Sequence, residues 1–159
     1  DADTEADERD AGDDRLLLSA LIAKRPVPIE MADSVQNGAV YDYERKTIFV
    51  QRGMDGQDLF RSVSLALARA EMAQQENSTP QADAFKSYCV SYMLCRKYGV
   101  DTQGYDFSRL PDELKNAEPQ TIRGELTDIR DTLQTMTGKM ARTLEQSRTA
   151  AQKETGKER

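Results

Sequence analysis

The chain predicts an α+β fold: a short β-sheet with a hairpin, several helices, and a long C-terminal helix. Three observations carry this expectation. The β-branched and aromatic runs Gly38-Ala39-Val40-Tyr41 and Thr47-Ile48-Phe49-Val50 flank the polar stretch from Asp42 to Lys46, which reads as a hairpin. Leu59, Phe60, Val63, Leu67 and Ala70 recur at helical spacing. From Ile122 the apolar positions Leu126, Ile129, Leu133, Met136, Met140 and Leu144 follow in steps of 4, 3, 4, 3, 4 and 4, a heptad seam.

Taken in order, residues 1–14 hold eight acids against Arg9, a charge of −7 that leaves the rest of the chain at +1 out of a net −6. Such a run repels itself and has little to bury, so it reads as a disordered acidic tail. Asp14 to Lys24 carries Leu16, Leu17, Leu18, Leu21 and Ile22, a short amphipathic helix ended by Pro26. Val27-Pro28-Ile29 reads as an edge strand, because proline cannot donate to a central ladder. Asp55 sits where an N-cap is needed, with Asp58 in the first turn, and the helix it opens is expected to reach about Gln75. A turn from Glu76 to Pro80 leads to a second helix from about Gln81 to Tyr98, stopped by Gly99. Gly104 to Pro111 reads as an irregular loop that pins Tyr105, Phe107 and Leu110 onto the core, closing a domain over residues 15–111.

The long helix is expected over residues 112–146, and 147–159 form a polar tail. Gly124, Gly138 and several threonines weaken the helix seam. It either packs back on its own or a neighbouring domain, or forms a homodimer through residues 121–146.

Composition excludes several functions. With 38% apolar and 31% charged residues the chain fits one globular domain, and the start at Asp1 suggests a piece of a longer protein. The apolar run Leu16–Ala23 falls short of the roughly 18 to 20 residues of a membrane helix and lacks the flanks of a secretion signal. A near-neutral body without a dense Lys/Arg stripe gives no support for direct nucleic-acid binding. Cys89 and Cys95 stand six apart on a helix, about 9 Å of rise, which forbids a bridge between them and fits buried thiols in a reducing cytoplasm. Histidine is absent, so a Ser-His or Cys-His nucleophile is impossible. No phosphate-binding glycine loop is present, and no cofactor is expected.

Within the first long helix, Phe60-Arg61-Ser62-Val63-Ser64-Leu65-Ala66-Leu67-Ala68-Arg69-Ala70-Glu71 is similar to a metallopeptidase helix of the pattern F-R-T-L-A-H-E-L-A-H-A-E. The second helix, Tyr88-Cys89-Val90-Ser91-Tyr92 through Cys95, Tyr98, Gly99 and Asp101, is similar to E-S-V-A-Y-x-x-C-x-x-Y-G-L-D. With the preceding hairpin, these runs resemble the zincin-like metallopeptidase domains of ArdC-like and ImmA/IrrE-like proteins carried by conjugative elements, over roughly residues 27–110. The resemblance implies that the two histidine ligands fall on Leu65 and Arg69, the general base on Ala66 and the third ligand on Tyr88. None of these side chains can bind zinc as its counterpart does.

The resemblance therefore implies a pseudoenzyme, with no catalytic residue and no metal, in which Arg69 and Tyr88 face a vestigial cleft and Arg69, Glu71 and Tyr88 are candidate binding residues. In the plainer reading Leu65 and Ala66 are helix formers, Arg69 with Glu71 is a solvated face, and Tyr88 is a core aromatic. The implied function is a structural or protein-binding module of a larger mobile-element protein in the cytoplasm, partnered by other domains of that protein or by another protein. The alternatives are an oligomerisation or DNA-processing accessory module working through the C-terminal helix, and an enzyme with new chemistry at Glu71, Tyr88 and Cys89.

Overall fold

The computed structural model describes residues 11–157. The acidic tail expected over residues 1–14 lies outside the described residues except for its last four, and these correct the expectation because they are helical. Helix α1 spans Ala11–Ile22 with Asp13 and Asp14 in its first turn, where the helix dipole favours negative charge. Leu17, Ala20 and Leu21 form its buried side. The start of this helix lies against Gly56, where an added Cβ would stand 2.8 Å from the Asp14 Cβ, so glycine is what lets the two chain segments meet.

Three strands form one sheet: β1 (Ile29–Ala32), β2 (Ala39–Asp42) and β3 (Thr47–Gln51), in the order β1-β3-β2. β3 runs parallel to β1, Ile29 opposite Ile48, and antiparallel to β2, Tyr41 opposite Ile48. The hairpin is thus as expected, while the edge strand begins at Ile29 rather than Val27. Pro28 stays at its mouth, where its carbonyl accepts from the Ile48 N–H at 2.9 Å and no donor is asked of it. Alternation buries Ala39, Tyr41, Ile48 and Val50 on one face and leaves Val40 on the other.

That buried face packs on helix α2 (Gly56–Met72), which also touches α1 and both later long helices and so forms the centre of the core. Asp55 caps it, its carboxylate accepting from the Asp58 N–H at 2.8 Å. Phe60, Val63, Leu67 and Ala70 are buried as their spacing requires. Helix α3 (Pro80–Lys97) opens with Thr79 accepting from the Ala82 N–H at 3.0 Å and ends before Gly99, whose φ of 73° is the left-handed geometry that glycine supplies.

The 104–111 loop is only partly pinned. Tyr105 bonds Ser91 at 2.6 Å and Phe107 lies against Tyr92, but Leu110 is 52% exposed, which corrects the expectation for that residue.

After the single turn α4 (Asp112–Lys115), helix α5 runs from Pro119 to Lys157, 39 residues or about 58 Å. It starts later and ends later than the expected 112–146. Its seam turns back on the domain: Ile129, Met136 and Met140 are buried and Leu133 and Leu144 half-buried, against α1, α2 and α3. Ile122 and Leu126, 42% and 59% exposed, are the seam positions left outside this contact. Two ionic contacts fasten the same side. Lys86 of α3 donates to Asp128 at 2.8 Å with Glu125 at 3.8 Å, and Lys139 pairs with Glu71 of α2.

Candidate functional site: a cleft between β2 and α2

The cleft follows from two features of local chain geometry. Residues three and four apart on α2 share a face, which turns Leu65, Ala66 and Arg69 toward the strand β2. The strand is entered through the turn Gln36–Gly38, in which Asn37 takes φ 58° and Gly38 φ 85°. The φ of Gly38 favours glycine, and a Cβ there would also lie 2.5 Å from the Met54 Cε and 2.9 Å from the Ser62 Oγ. Ser62 ties the turn down by donating to the Asn37 carbonyl at 3.0 Å. The result is a cleft of about 200 Å³, with Gln36, Asn37, Ala39, Val40 and Tyr41 along one wall.

Arg69 is the one charged group among the residues that line it. Its Nε donates to the Ser87 Oγ at 3.3 Å, and Ser87 in turn donates to the Ala84 carbonyl at 3.0 Å. Among the described residues no carboxylate comes within 4.0 Å of the guanidinium. Asp83, one turn before Ser87 on α3, is buried at 1% exposure and accepts from the Tyr43 hydroxyl at 3.2 Å and from the Ser78 hydroxyl. Burial pushes the Tyr43 phenol above its usual range, and the nearby Asp83 charge adds to that while Arg69 opposes it. Tyr43 and Asp83 therefore form a closed polar pair near Arg69.

The structure brings together three of the four positions that the resemblance singles out, and sets the fourth apart. Leu65, Ala66 and Arg69 share the cleft; Tyr88 does not line it. The Tyr88 hydroxyl accepts from the Asp106 N–H at 2.6 Å and its ring packs on Tyr105 and Phe107, both at 5.1 Å. Its neighbour Ser87, about 100° round the helix, is the α3 residue that meets Arg69. The expectation that Tyr88 faces the cleft is corrected accordingly. Glu71 is likewise occupied by Lys139 outside the cleft.

Sequence reasoning missed Tyr43, Asp83 and Ser87. A signal for the last two was present: extending the buried stripe Leu94, Val90 back by helical steps lands on Ser87 and Asp83, polar residues in an apolar phase.

Zinc does not fit this cleft. Its lining offers no carboxylate, thiolate or imidazole, and among the described residues no group of three or more Cys, Asp or Glu could hold a metal ion. Both cysteines are free. Burial, with the Glu125 charge behind it, pushes the half-buried Cys89 thiol up to about 11, which opposes a nucleophilic role. Burial also raises Cys95, whose sulfur lies 3.5 Å from the Tyr105 hydroxyl.

Among the described residues no helix is long and apolar enough to cross a membrane. Comparison with family models, curated proteins and solved structures finds no match.

Proposed function

We propose that this is a zincin-like scaffold without catalytic chemistry, serving as a structural or protein-binding module within a larger cytoplasmic protein of a mobile element. One observation carries the reading. Where the resemblance places two metal ligands and a general base, α2 presents Leu65, Arg69 and Ala66 to a single cleft beside an edge strand. Leucine and alanine have no lone pair to offer, and a guanidinium remains a cation at any physiological pH. The cleft can hold a group in place; it has nothing with which to activate water.

Elemental analysis of the purified protein after mild dialysis tests this. The reading expects zinc far below one equivalent, with no peptidase activity added by supplying the metal. Near-stoichiometric, tightly held zinc overturns it.

A second reading assigns the work to α5, as an oligomerisation or DNA-processing accessory element. The exposed Ile122 and Leu126 at its N-terminal end favour it. Dimerisation abolished by charged substitutions at both positions would support that reading.

A further inference from the structure

The charge in the β2–α2 cleft is not spent. Arginine carries five N–H donors in a planar fork, and Arg69 uses one of them, Nε, on Ser87. Its side chain is half-buried and lines the cleft. Elsewhere on α2 and α3 the internal charges have partners, Glu71 with Lys139 and Lys86 with Asp128. Arg69 is different: Asp83, the buried acid one turn before its Ser87 partner, is engaged by Tyr43 and Ser78.

We propose that the cleft is a docking site for a carboxylate side chain of a partner polypeptide, seated on the Arg69 guanidinium. The inference rests on the reading of the domain as a protein-binding module.

Three features select this occupant. No acid lines the cleft and Arg69 is its one cation, so the charge its lining presents is complementary to an anion. The volume of about 200 Å³ lies below the roughly 300 Å³ at which small-molecule sites begin, which suits one or two inserted side chains and not a nucleotide. Beside Arg69, Gln36 and Asn37 the lining includes Ala39, Val40, Leu65 and Ala66, apolar surface that matches the methylene stem of a glutamate and gives nothing to a fully polar phosphate. A carboxylate also meets the free guanidinium N–H groups two at a time.

The test is a nuclear magnetic resonance titration of the full chain with three probes: a blocked tri-glutamate peptide, a blocked tri-glutamine peptide and inorganic phosphate. Tri-glutamate should shift the amides of residues 39–41 and 65–69 in a saturable way, and the other two should leave them unmoved at equal concentration. Arg69→Gln should weaken tri-glutamate binding by about 10- to 100-fold, the worth of one charge-assisted hydrogen-bonded contact. Leu65→Trp, which fills the cleft and leaves the guanidinium in place, should weaken it as well, and keeps the test decisive if Arg69→Gln does not fold.

Equal shifts from phosphate overturn the proposal, as do shifts confined to basic residues of α5 or binding that survives both variants. Its failure is separable from that of the module reading. A metal-free protein that ignores tri-glutamate remains a candidate module with another docking surface, whereas stoichiometric zinc removes the module reading whatever the peptide does.

Discussion

On the side of α2 and α3 that α5 covers, Lys86 meets Asp128 and Glu125, and Glu71 meets Lys139; on the cleft side, Arg69 has one serine hydroxyl. The same two helices supply both sides. Where α5 excludes water, an unpaired charge would cost several kcal/mol, so each cation there has an acid from another element. Beside the sheet the cleft stays open and Arg69 can rely on solvent until a partner arrives. The difference separates charges that hold the fold from a charge that is available to bind.

The largest effect is expected in the packing under α5. Met140 is 1% exposed in the α5 seam, and Met140→Ala should lower unfolding free energy by about 2–5 kcal/mol, the range for emptying a well-packed core site. A urea titration that finds less than about 0.5 kcal/mol, as for an ordinary surface substitution, would mean that α5 is not docked as described.

Thiol labelling tests the same covered side. With burial raising its thiol to about 11 against an ordinary 9.0, Cys89 should present roughly 100-fold less thiolate at pH 8, and since a more basic thiolate is the better nucleophile, labelling should be slower by about 10-fold or more until the chain is denatured. Labelling at the rate of a free thiol would place Cys89 in open solvent.

Lys86→Ala comes next. It leaves Asp128 and Glu125 without their cation beside buried Asp83, and should cost about 1–3 kcal/mol. That is less than a fully buried pair would lose, because the Asp128 side chain stays 37% exposed. The alkaline limb should change with it. The acids around Lys86 outweigh its desolvation and raise its proton affinity in the folded state, so its stabilisation is complete below about pH 10.5 and is lost as pH rises through the folded value. Lys86→Ala should flatten this part of the pH profile in thermal unfolding.

The smallest change in stability is expected at the cleft itself. Arg69→Gln keeps a hydrogen-bond donor for Ser87 and breaks no ion pair, so its unfolding free energy should stay within about 0.5 kcal/mol of the parent. A loss like that of Lys86→Ala would move Arg69 into the structural class and erase the contrast.

Much of this was legible in the residues. The hairpin follows from alternation, Asp55 from its capping position, and the α2 stripe from its spacing, because each is set within a few residues of the chain. The α5 seam was also legible, but not the surface it covers: a heptad pattern states that one face is apolar and is silent about whether its own domain or a second copy covers it. The α3 site position was misjudged for a comparable reason. Ser87 and Tyr88 are adjacent in sequence, and which of them faces α2 depends on the rotation of α3 about its axis, fixed by distant contacts such as Ser64 with Ser91 at 2.7 Å and the 105–107 aromatics. Asp83 escaped notice because a polar residue on a helix is ordinarily read as exposed, and here Tyr43 and Ser78 reach it from other parts of the chain.

The proposed reading, in which α2 has the geometry of a metal helix without its chemistry, can be checked by calorimetry with zinc on a rebuilt site. Leu65→His with Arg69→His restores two imidazoles on one face, and Ser87→Asp places a carboxylate where the Arg69 side chain now finds a hydroxyl at 3.3 Å. Zinc should bind this folded triple variant measurably, about 10- to 100-fold short of an evolved site because the groups that orient the imidazoles are missing, and Tyr88→Glu in place of Ser87→Asp should bind far less. If the variant with Ser87→Asp binds zinc no better than the parent protein, the register that links α2 and α3 to a metallopeptidase site is contradicted.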